Sequence, residues 1–524
     1  MGISRNSRRE FLRNMACVAC SGGAAAMIPQ LRMMGTAMAS TSSLTGYKAL
    51  VCIYLQGGND SWNLVVPWDS NGSTGRFDVY AAARNGVYNA QTNNGGLGLT
   101  RPAAGNAQIV TDGNDANAGT NKYFMHPNLT NLASYFKANK LAFAVNVGTL
   151  VQPMNMNDYK LATFPKPPQL FSHADQTNLW NQGNTDGNSA HGWGGLCADD
   201  LQAQGANTKP NPQLSLCISI AGANRFEIGK VVNNPYQLST GGLANLSAMC
   251  NQTPCGTGNN SVRDQALNEL LGATYEGDFA GEYGKVFGGA RALFSELKPN
   301  LGVSPYNVTT TFPTTSLGRQ LQRVAEVIKL SKAKNYATRQ VFFVQIGGFD
   351  LHAGMMSNND GNGTTAPGNA NDHAGLLYQL DQAVGAFWSE MGVQGLQNNV
   401  TAFTATEFSR TLQSNGAGSD HAWGGVQFAL GGAVNGGKLY TKGSTTNGRG
   451  VDGAYPNLAY AKMANANPNA FSRGQLIPGL SVDQYAATFA KWMDVRPTGA
   501  TGISSIFPNL ANFPGGTLGM LPTS

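Results

Sequence analysis

The chain has 524 residues, of which only 12% are charged, and its formal net charge at pH 7 is +6. This length is enough for one large domain or two ordinary ones. The first 39 residues contain five arginines and one glutamate, a net charge of +4, which leaves +2 for the rest of the chain. Because the rest of the chain is almost neutral, it lacks the basic surface that nucleic-acid binding requires, and we exclude a nucleic-acid partner.

A signal for twin-arginine export is predicted at the N terminus. Two adjacent arginines, Arg8 and Arg9, precede an apolar segment that is too short and too rich in Gly and Ala for a permanent membrane anchor. Small residues at Ala37 and Ala39 then provide a cleavage site, so we predict a signal peptide over residues 1–39.

The mature chain, residues 40–524, is therefore predicted to be periplasmic or secreted, with the twin-arginine translocase as its partner during export. A lipid anchor at Cys20 and a buried N-terminal helix are the alternatives. No mature segment approaches about eighteen consecutive apolar residues, so no membrane span is predicted. In an oxidising compartment Cys250 and Cys255 are predicted to form a small disulfide loop, with two free thiols as the alternative. Cys52 lies in an apolar run and is predicted to be a plain core residue.

Strands and helices alternate along the mature chain. Continuous apolar runs predict buried strands at 48–56, 141–147, 213–221, 340–346, 399–405 and 426–431. Helical periodicity predicts helices at 127–139, 263–272, 283–297, 316–333, 372–392 and 481–493. A capping box of Ser481 and Gln484 begins the last helix. This alternation predicts an α/β fold with a mainly parallel central sheet flanked by helices.

Long polar segments separate some of these elements. Gly-rich stretches at 70–122, 233–262, 355–370 and 440–475 are predicted to be loop insertions. We therefore predict a single α/β domain with loop insertions over residues 40–524.

Acidic and imidazole side chains follow the ends of several predicted strands. They are Asp60, Asp350, His352, Glu407, Asp420 and His421. Because ligands bind at the carboxyl ends of the strands in a parallel sheet, we expect these side chains to meet at one edge. Carboxylates and imidazoles are ligands of divalent metals, so the pattern predicts a metal site. The alternatives are a simple turn at Asp60 and a surface salt bridge between Glu407 and Arg410.

Ser172 is predicted to begin a helix, with Asp175 at the third helical position. A serine at this place is typical of an N-cap. The backbone amides at a helix N terminus also favour an anion, which would suit the nucleophile of an ester hydrolase, and both interpretations stay open. Among the other histidines, His373 is predicted to cap a helix or face solvent, His126 to be hydrogen-bonded, and His191 to lie in a flexible loop.

These motifs, taken together and in order, resemble the secreted bacterial family catalogued as domain of unknown function 1501. The resemblance runs along nearly the whole mature chain. Besides the twin-arginine start, it is carried by Leu55-Gln-Gly-Gly-Asn-Asp60, His126-Pro-Asn-Leu, Ser172-His-Ala-Asp-Gln, Gly348-Phe-Asp-Leu-His352, Thr406-Glu-Phe-Ser-Arg-Thr411, Asp420-His-Ala-Trp-Gly-Gly425 and Gly431-Gly-Ala-Val434. That family is similar in turn to the alkaline phosphatase and sulfatase superfamily.

The resemblance implies a three-layer, two-metal hydrolase of phosphate or sulfate esters, on a small molecule or a polysaccharide. It implies that Ser172 is the nucleophile and that Asp60, Asp350, His352, Glu407 and His421 stand at the positions of metal ligands. In such a hydrolase Arg410 is available to neutralise charge on the transferred group, and Asp420 is an alternative ligand beside His421.

Three departures from the superfamily pattern concern the metal ligands. Glu407 stands where the superfamily has Asp, and Phe408 stands where it has a metal-binding His, so one metal site loses a nitrogen ligand. Asp350 and His352 are two residues apart rather than four. An oxygen-rich site of Asp60, Glu407 and Ser172 would suit calcium or magnesium better than zinc, unless Asp420 serves with His421. A non-catalytic secreted binding or assembly protein on the same fold is the alternative function.

Overall fold

The structure is a computed structural model. It describes residues 44–522 except 90–91, 93, 114–121, 184–188, 210–212, 233–234, 242, 244–258, 274–277, 357–369, 442–454 and 462. The predicted signal peptide and the Cys250–Cys255 pair lie outside the described residues, so both stay predictions.

Strands and helices alternate within the described residues. The strands are β1 (Lys48–Leu55), β2 (Val65–Pro67), β3 (Ile109–Thr111), β4 (Lys122–Met125), β5 (Leu141–Gly148), β6 (Cys217–Ser219), β7 (Tyr236–Gln237), β8 (Arg339–Ile346), β9 (Val400–Ala405), β10 (Gly425–Gly431), β11 (Lys438–Tyr440) and β12 (Leu480–Ser481). The α-helices are α1 (Arg76–Ala83), α2 (Thr130–Lys137), α3 (Met156–Lys160), α4 (His173–Gln182), α5 (Trp193–Ala203), α6 (Asn259–Gly272), α7 (Asp278–Leu297), α8 (Ser316–Lys334), α9 (His373–Val393), α10 (Val482–Trp492) and α11 (Ile503–Ile506).

A nine-stranded sheet forms the centre of the described structure, in the order β11-β5-β10-β9-β1-β8-β6-β7, with β12 also paired to β5. Every neighbouring pair in it is parallel except the two pairs made by β10, with β5 and with β9. The predicted mainly parallel sheet is therefore confirmed. β2, β4 and β3 form a separate antiparallel sheet.

Helices cover both faces of the central sheet, which gives three layers, α/β/α. Side chains of β1 alternate between the faces, as the period of a strand requires. Its odd-numbered residues 49–55 join one buried apolar cluster with residues of α2, α8 and α9. Its even-numbered residues 50–54 join a second cluster with residues of α5, α10 and α11. Cys52 is buried in this second cluster as a free thiol, which confirms its predicted place in the core.

Most predicted elements are present with small shifts at their ends, and the capping box of Ser481 and Gln484 is confirmed. The strand predicted over 213–221 is shorter, because only Cys217–Ser219 pair with neighbours although the flanking Leu214, Leu216 and Ile220 are buried. The continuous loop predicted over 70–122 is wrong in part, since α1 and β3 lie inside it. Helix α5 was not predicted, because most of it is buried and it lacks an amphipathic pattern.

Within the described part of the chain, no helix combines the length and the apolar character that crossing a bilayer requires.

Asp483 is a buried carboxyl group near the start of α10. Neither of its oxygens has a hydrogen-bond partner among the described residues. Burial raises the pKa of Asp483 to about 8. An aspartate in an unfolded chain has a pKa of about 3.9, so between about pH 4 and pH 8 the folded state keeps a proton that the unfolded state has lost. The free energy of unfolding therefore falls as the pH rises through this window.

We expect Asp483→Asn to remove this pH-dependent decrease in the free energy of unfolding. The amide carries no charge and has nearly the same shape as the carboxyl group. The stabilisation relative to wild type should increase by up to about 1.4 kcal/mol for each pH unit between pH 4 and pH 8. Thermal unfolding midpoints of both proteins at pH 5 and pH 8 check this. An equal difference in midpoint at both pH values would show that Asp483 does not titrate in this range.

Candidate metal centre

The predicted site residues follow strands that meet at one edge of the central sheet. β1, β8 and β9 run parallel, so the segments after them, 56–60, 347–352 and 406–411, leave the sheet at the same edge. β10 runs antiparallel to β9, so the segment before it reaches that edge too. A β-bridge between Arg410 and His421 joins the last two segments.

Two glycines after β1 allow the segments to approach closely. Gly57 and Gly58 have φ angles of +114° and +77°, which a residue with a side chain rarely adopts. A Cβ atom on Gly57 would collide with the backbone amide nitrogen of Asp350, and one on Gly58 would lie 2.5 Å from the Phe408 ring. The backbone here therefore needs glycine at both positions.

Three imidazoles and one carboxylate converge in front of this edge, and we call His173, Asp350, His352 and His421 the histidine cluster. The Nε2 atom of His421 lies 3.1 Å from Nε2 of His173 and 3.0 Å from Nε2 of His352. The Asp350 carboxylate lies 3.1 Å from Nε2 of His352, 3.5 Å from that of His173 and 3.6 Å from that of His421. The ligand atoms of His173, Asp350 and His421 all lie within 4.8 Å of one another, close enough to share one metal ion.

Each imidazole points its other nitrogen, Nδ1, at an oxygen. Nδ1 of His421 donates to the carbonyl oxygen of Phe171 at 2.8 Å, and Nδ1 of His352 lies 2.8 Å from Asp420 Oδ1. Nδ1 of His173 lies 3.6 Å from Glu407 Oε1. A carbonyl or carboxylate oxygen only accepts a hydrogen bond, which places the proton of His421 and of His352 on Nδ1 and leaves a lone pair on each Nε2. The Glu407 carboxylate at 3.6 Å favours the same tautomer of His173 electrostatically. Metal-binding histidines are usually held in this way.

Nε2 of His352 has a weak donor in Nη1 of Arg410 at 3.4 Å, and the facing nitrogen lone pairs of the histidine cluster need a further positive partner between them. Lone pairs that face each other at about 3 Å repel unless a proton or a cation lies between them. Nitrogen ligands about 2.0–2.1 Å from a tetrahedral metal lie about 3.3 Å apart, close to the separations observed in the histidine cluster. The ligand atoms of His173, Asp350 and His421 therefore fit one divalent metal ion, with His352 directly beside them.

The surroundings of Asp420 and His421 set the protonation states that cation binding requires. Burial raises the pKa of Asp420, but hydrogen bonds from Asn415, His352 and Arg473 outweigh it and bring that pKa to about 2. Burial, and then the positive charge of Arg410, lower the pKa of His421, opposed by its hydrogen bond to the Phe171 carbonyl. Asp420 is therefore ionised and His421 neutral near pH 7.

The histidine cluster is open to solvent on one side. The side chains of Asp350, His352 and His173 are 48%, 45% and 36% exposed, and that of His421 is 22% exposed. Structural zinc sites are usually closed, whereas catalytic ones keep an accessible face. The exposure favours a centre that meets a ligand from solution.

Arg410 connects the segments behind the histidine cluster. Its guanidinium donates to the carbonyl oxygens of Gly57, Gly58, Phe349 and Ser419, and it forms an ion pair with Asp350. The side chain is only 1% exposed. Burial raises the pKa of Asp350, but its hydrogen bond and ion pair with Arg410 lower it overall. The carboxylate partner of Arg410 is thus Asp350, and the predicted surface salt bridge with Glu407 is wrong.

Asp60 is engaged in a different buried contact. Its carboxylate forms an ion pair with Arg84, and both side chains are almost completely buried. Burial raises the pKa of Asp60, and Arg84 opposes this. His373, predicted to cap a helix or face solvent, is instead buried and hydrogen-bonded to Asn59 at 3.0 Å. The guanidinium of Arg84 occupies the position beside Asp60 where a cation would otherwise bind.

Glu407 and Phe408 lie behind the histidine cluster. The Glu407 carboxylate accepts hydrogen bonds from the amides of Gly57 and Gly58 at 2.9 Å and from the hydroxyl of Thr406 at 3.1 Å. The Phe408 ring stacks on His421 with a centroid separation of 4.5 Å and tilts against His173 at 4.8 Å. This pair therefore supports the imidazoles from behind.

Ser172 is the N-cap of α4, as predicted. Its hydroxyl lies 2.5 Å from Asp175 Oδ2, whereas the amide of Asp175 lies 3.5 Å from the hydroxyl oxygen. The stronger interaction is therefore the hydrogen bond that the hydroxyl donates to the carboxylate. Ser172 also lies between Phe171, whose carbonyl oxygen holds His421, and His173.

The sequence did not identify His173 as a site residue. It follows the predicted N-cap Ser172 directly, but 24 residues, which include the short helix α3 and are otherwise irregular, separate β5 from α4. No strand end or motif spacing therefore places it at the sheet edge. The sequence offers one indication. His173 is the first residue of the predicted helix, next to Ser172, for which the helix N terminus suggested a functional role.

Comparisons with known proteins give limited matches. Residues 332–456 match a family described as "Protein of unknown function (DUF1501)", a segment that contains Asp350, His352, Asp420 and His421 but not His173. A comparison with curated proteins found no match. The similarity of the remaining chain to that family, and of the whole to the alkaline phosphatase and sulfatase superfamily, stays a prediction.

Solved structures include two distant neighbours. The protein of "Crystal structure of Ps i-CgsB" is 11% identical, with 76% of this chain and 68% of that chain covered and a TM-score of 0.29. The same protein in complex with k-i-k-neocarrahexaose gives the same identity, coverage and TM-score. With an identity and a TM-score this low, no activity of that protein can be assigned to this chain.

We expect His173→Ala to lower zinc affinity by more than about a hundredfold, because it removes one of the ligands. His191→Ala is the matched control, since His191 lies outside the histidine cluster. Zinc titration against a competing chelator, with circular dichroism to check folding, measures both variants. Equal zinc affinity in wild type and His173→Ala would exclude the proposed ligand set.

We expect Asp420→Asn to weaken zinc binding by about ten- to a hundredfold, because the amide no longer favours a proton on Nδ1 of His352. The same competition titration measures the change. An affinity equal to that of wild type would show that Asp420 does not orient His352.

Proposed function

We propose that this chain is an exported, metal-dependent hydrolase of phosphate or sulfate esters that works with one divalent metal ion. The observation that carries the proposal is the convergence of three Nε2 lone pairs and the Asp350 carboxylate at an open edge of the sheet. The ligand set favours zinc. A small molecule or a polysaccharide would carry the ester.

The chain's own residues bind and orient. His173, His352 and His421 would hold the ion together with Asp350, and Glu407, Asp420 and the Phe171 carbonyl fix the directions of the imidazoles. When bound, a divalent cation acts as a Lewis acid that draws electron density from the oxygen atoms of the ester. The open face of the histidine cluster gives the ester access.

Arg410 is better suited to positioning than to contact with the ester. Its three guanidinium nitrogens are already engaged with backbone carbonyls and with Asp350, and its side chain is almost completely buried. We therefore propose that Arg410 fixes the Asp350 carboxylate, instead of neutralising the transferred group.

We propose Ser172 as the nucleophile. Its position at the N terminus of α4, between two residues that contact the histidine cluster, supports this role. In a first step the Ser172 hydroxyl oxygen would form a bond to phosphorus or sulfur while the bond to the leaving oxygen breaks, and the Asp175 carboxylate, 2.5 Å away, would receive the hydroxyl proton. The leaving oxygen would take a proton from solvent at the open face and depart as the alcohol. In a second step water would break the ester on Ser172, the serine oxygen would regain the proton held by Asp175, and the proton lost by the water would return to solvent.

A single metal is proposed because the residues for a second one are engaged otherwise. The Glu407 carboxylate is bonded to two backbone amides, Phe408 offers no ligand atom, and Asp60 is paired with Arg84. The same observation supports a second candidate function, a secreted binding or assembly protein that retains one metal and has lost catalysis.

We expect Ser172→Ala to lower kcat for 4-nitrophenyl phosphate or sulfate by at least about a hundredfold with zinc content unchanged, because the attacking oxygen is lost. Ser481→Ala is the matched control, since Ser481 caps α10 with the same hydroxyl chemistry. It should lower stability by about 1 kcal/mol and leave kcat unchanged.

Other outcomes distinguish the candidates. An unchanged kcat in Ser172→Ala would rule out Ser172 as the nucleophile and leave water in that role. Zinc binding by the wild-type protein without hydrolysis of either ester would favour the binding protein.

A further inference from the structure

A second arginine lies beside the histidine cluster, on the outer side of Asp420. Arg473 forms an ion pair with Asp420 Oδ2 through its Nη1 atom, while Asp420 Oδ1 lies 2.8 Å from Nδ1 of His352. One carboxylate therefore separates Arg473 from a proposed metal ligand.

Arg473 and Arg410 differ in what their guanidinium groups can still bind. The Arg473 side chain is 39% exposed, against 1% for Arg410. Among the described residues Arg473 has a side-chain partner only at Nη1, so Nε and Nη2 keep donors for a ligand. A guanidinium with two adjacent free donors matches the paired oxygens of a carboxylate, phosphate or sulfate.

The position of Arg473 determines which group of a ligand it can meet. Asp420 and the His352 ring lie between Arg473 and the Nε2 atoms that face the proposed ion. An ester group held at those Nε2 atoms is therefore out of reach of Arg473. The group that Arg473 meets must be a second anionic group on the same molecule.

Phe471 and Tyr159 are partly exposed aromatic side chains that pack against a small buried cluster containing Trp423. Phe471, two residues before Arg473, packs edge-on against Tyr159 at a centroid separation of 4.8 Å. The Lys166 ammonium lies 5.1 Å from the centre of the Tyr159 ring. Partly exposed rings beside a basic group suit a ligand whose ring presents an apolar face and carries acidic substituents.

We propose that Arg473 binds a second acidic group of the substrate, so that this site selects ring-based esters that carry two anionic groups. The inference rests on the proposed function, because it takes the ester group to lie at the histidine cluster. It adds the charge pattern of the substrate, which the cluster alone does not specify.

Calorimetry on the zinc-loaded mature chain tests this with monosulfated and disulfated forms of one disaccharide. We expect wild type to bind the disulfated form about tenfold tighter or more, since one charge-assisted hydrogen-bonded pair is worth about that factor. Arg473→Gln should reduce this ratio to about one, and the ratio is the readout because Arg473 also contacts Asp420, so the affinity for both forms can fall together. Arg473→Lys should keep an intermediate ratio, because lysine retains the positive charge but lacks the two adjacent N–H donors of a guanidinium.

Arg319→Gln is the control for net charge, because Arg319 is an exposed arginine whose side chain bonds to the Thr314 carbonyl instead of the histidine cluster. It should leave the ratio as in wild type. Zinc affinity is measured in parallel for every variant.

Two results would overturn the proposal. One is a wild-type ratio near one. The other is an Arg473→Gln variant that binds zinc and both disaccharides more weakly by the same factor, which would mean that Arg473 only supports Asp420. Selective binding without hydrolysis of either sugar would instead contradict the proposed function and leave the Arg473 subsite standing.

Discussion

The contact on which the site depends is the hydrogen bonding of the Glu407 carboxylate to the amides of Gly57 and Gly58. It ties the end of β9 to the end of β1 in the middle of the sheet, where a buried charge is tolerated only if it is well hydrogen-bonded. Arg410 strengthens the same joint by donating to the carbonyl oxygens of Gly57 and Gly58. With these ends fixed, Glu407 and Phe408 present a rigid support for His173 and His421.

This arrangement gives Glu407 and Phe408 a structural role behind the histidine cluster. A carboxylate that accepts hydrogen bonds from two backbone amides has few lone pairs left for a metal, so Glu407 acts as a structural anchor. Phe408 cannot coordinate a metal, but its ring packs against two imidazoles and limits their rotation.

The sequence predicted those site residues that directly follow or precede a long strand. Asp350 and His352, and likewise Asp420 and His421, adjoin long apolar strands whose parallel or antiparallel pairing brings them to one edge. His173 could not be found this way, because its position is set by irregular chain between β5 and α4. The ion pair of Asp60 with Arg84 could not be predicted for a related reason. Arg84 follows α1, a short helix inside a segment that the sequence predicts to be a loop insertion.

Charge is distributed at the site in a repeated pattern, in which a carboxylate lies between an imidazole of the histidine cluster and an arginine. Asp350 lies between His352 and Arg410, and Asp420 lies between His352 and Arg473. Both arginines help to lower the carboxylate pKa values against the effect of burial. The adjacent Glu407 carboxylate raises the pKa of His173, whereas burial lowers the pKa of His421. As the pH falls, His173 therefore takes up a proton before His421 does. The residue that the sequence failed to reveal is thus the more acid-sensitive member of this pair.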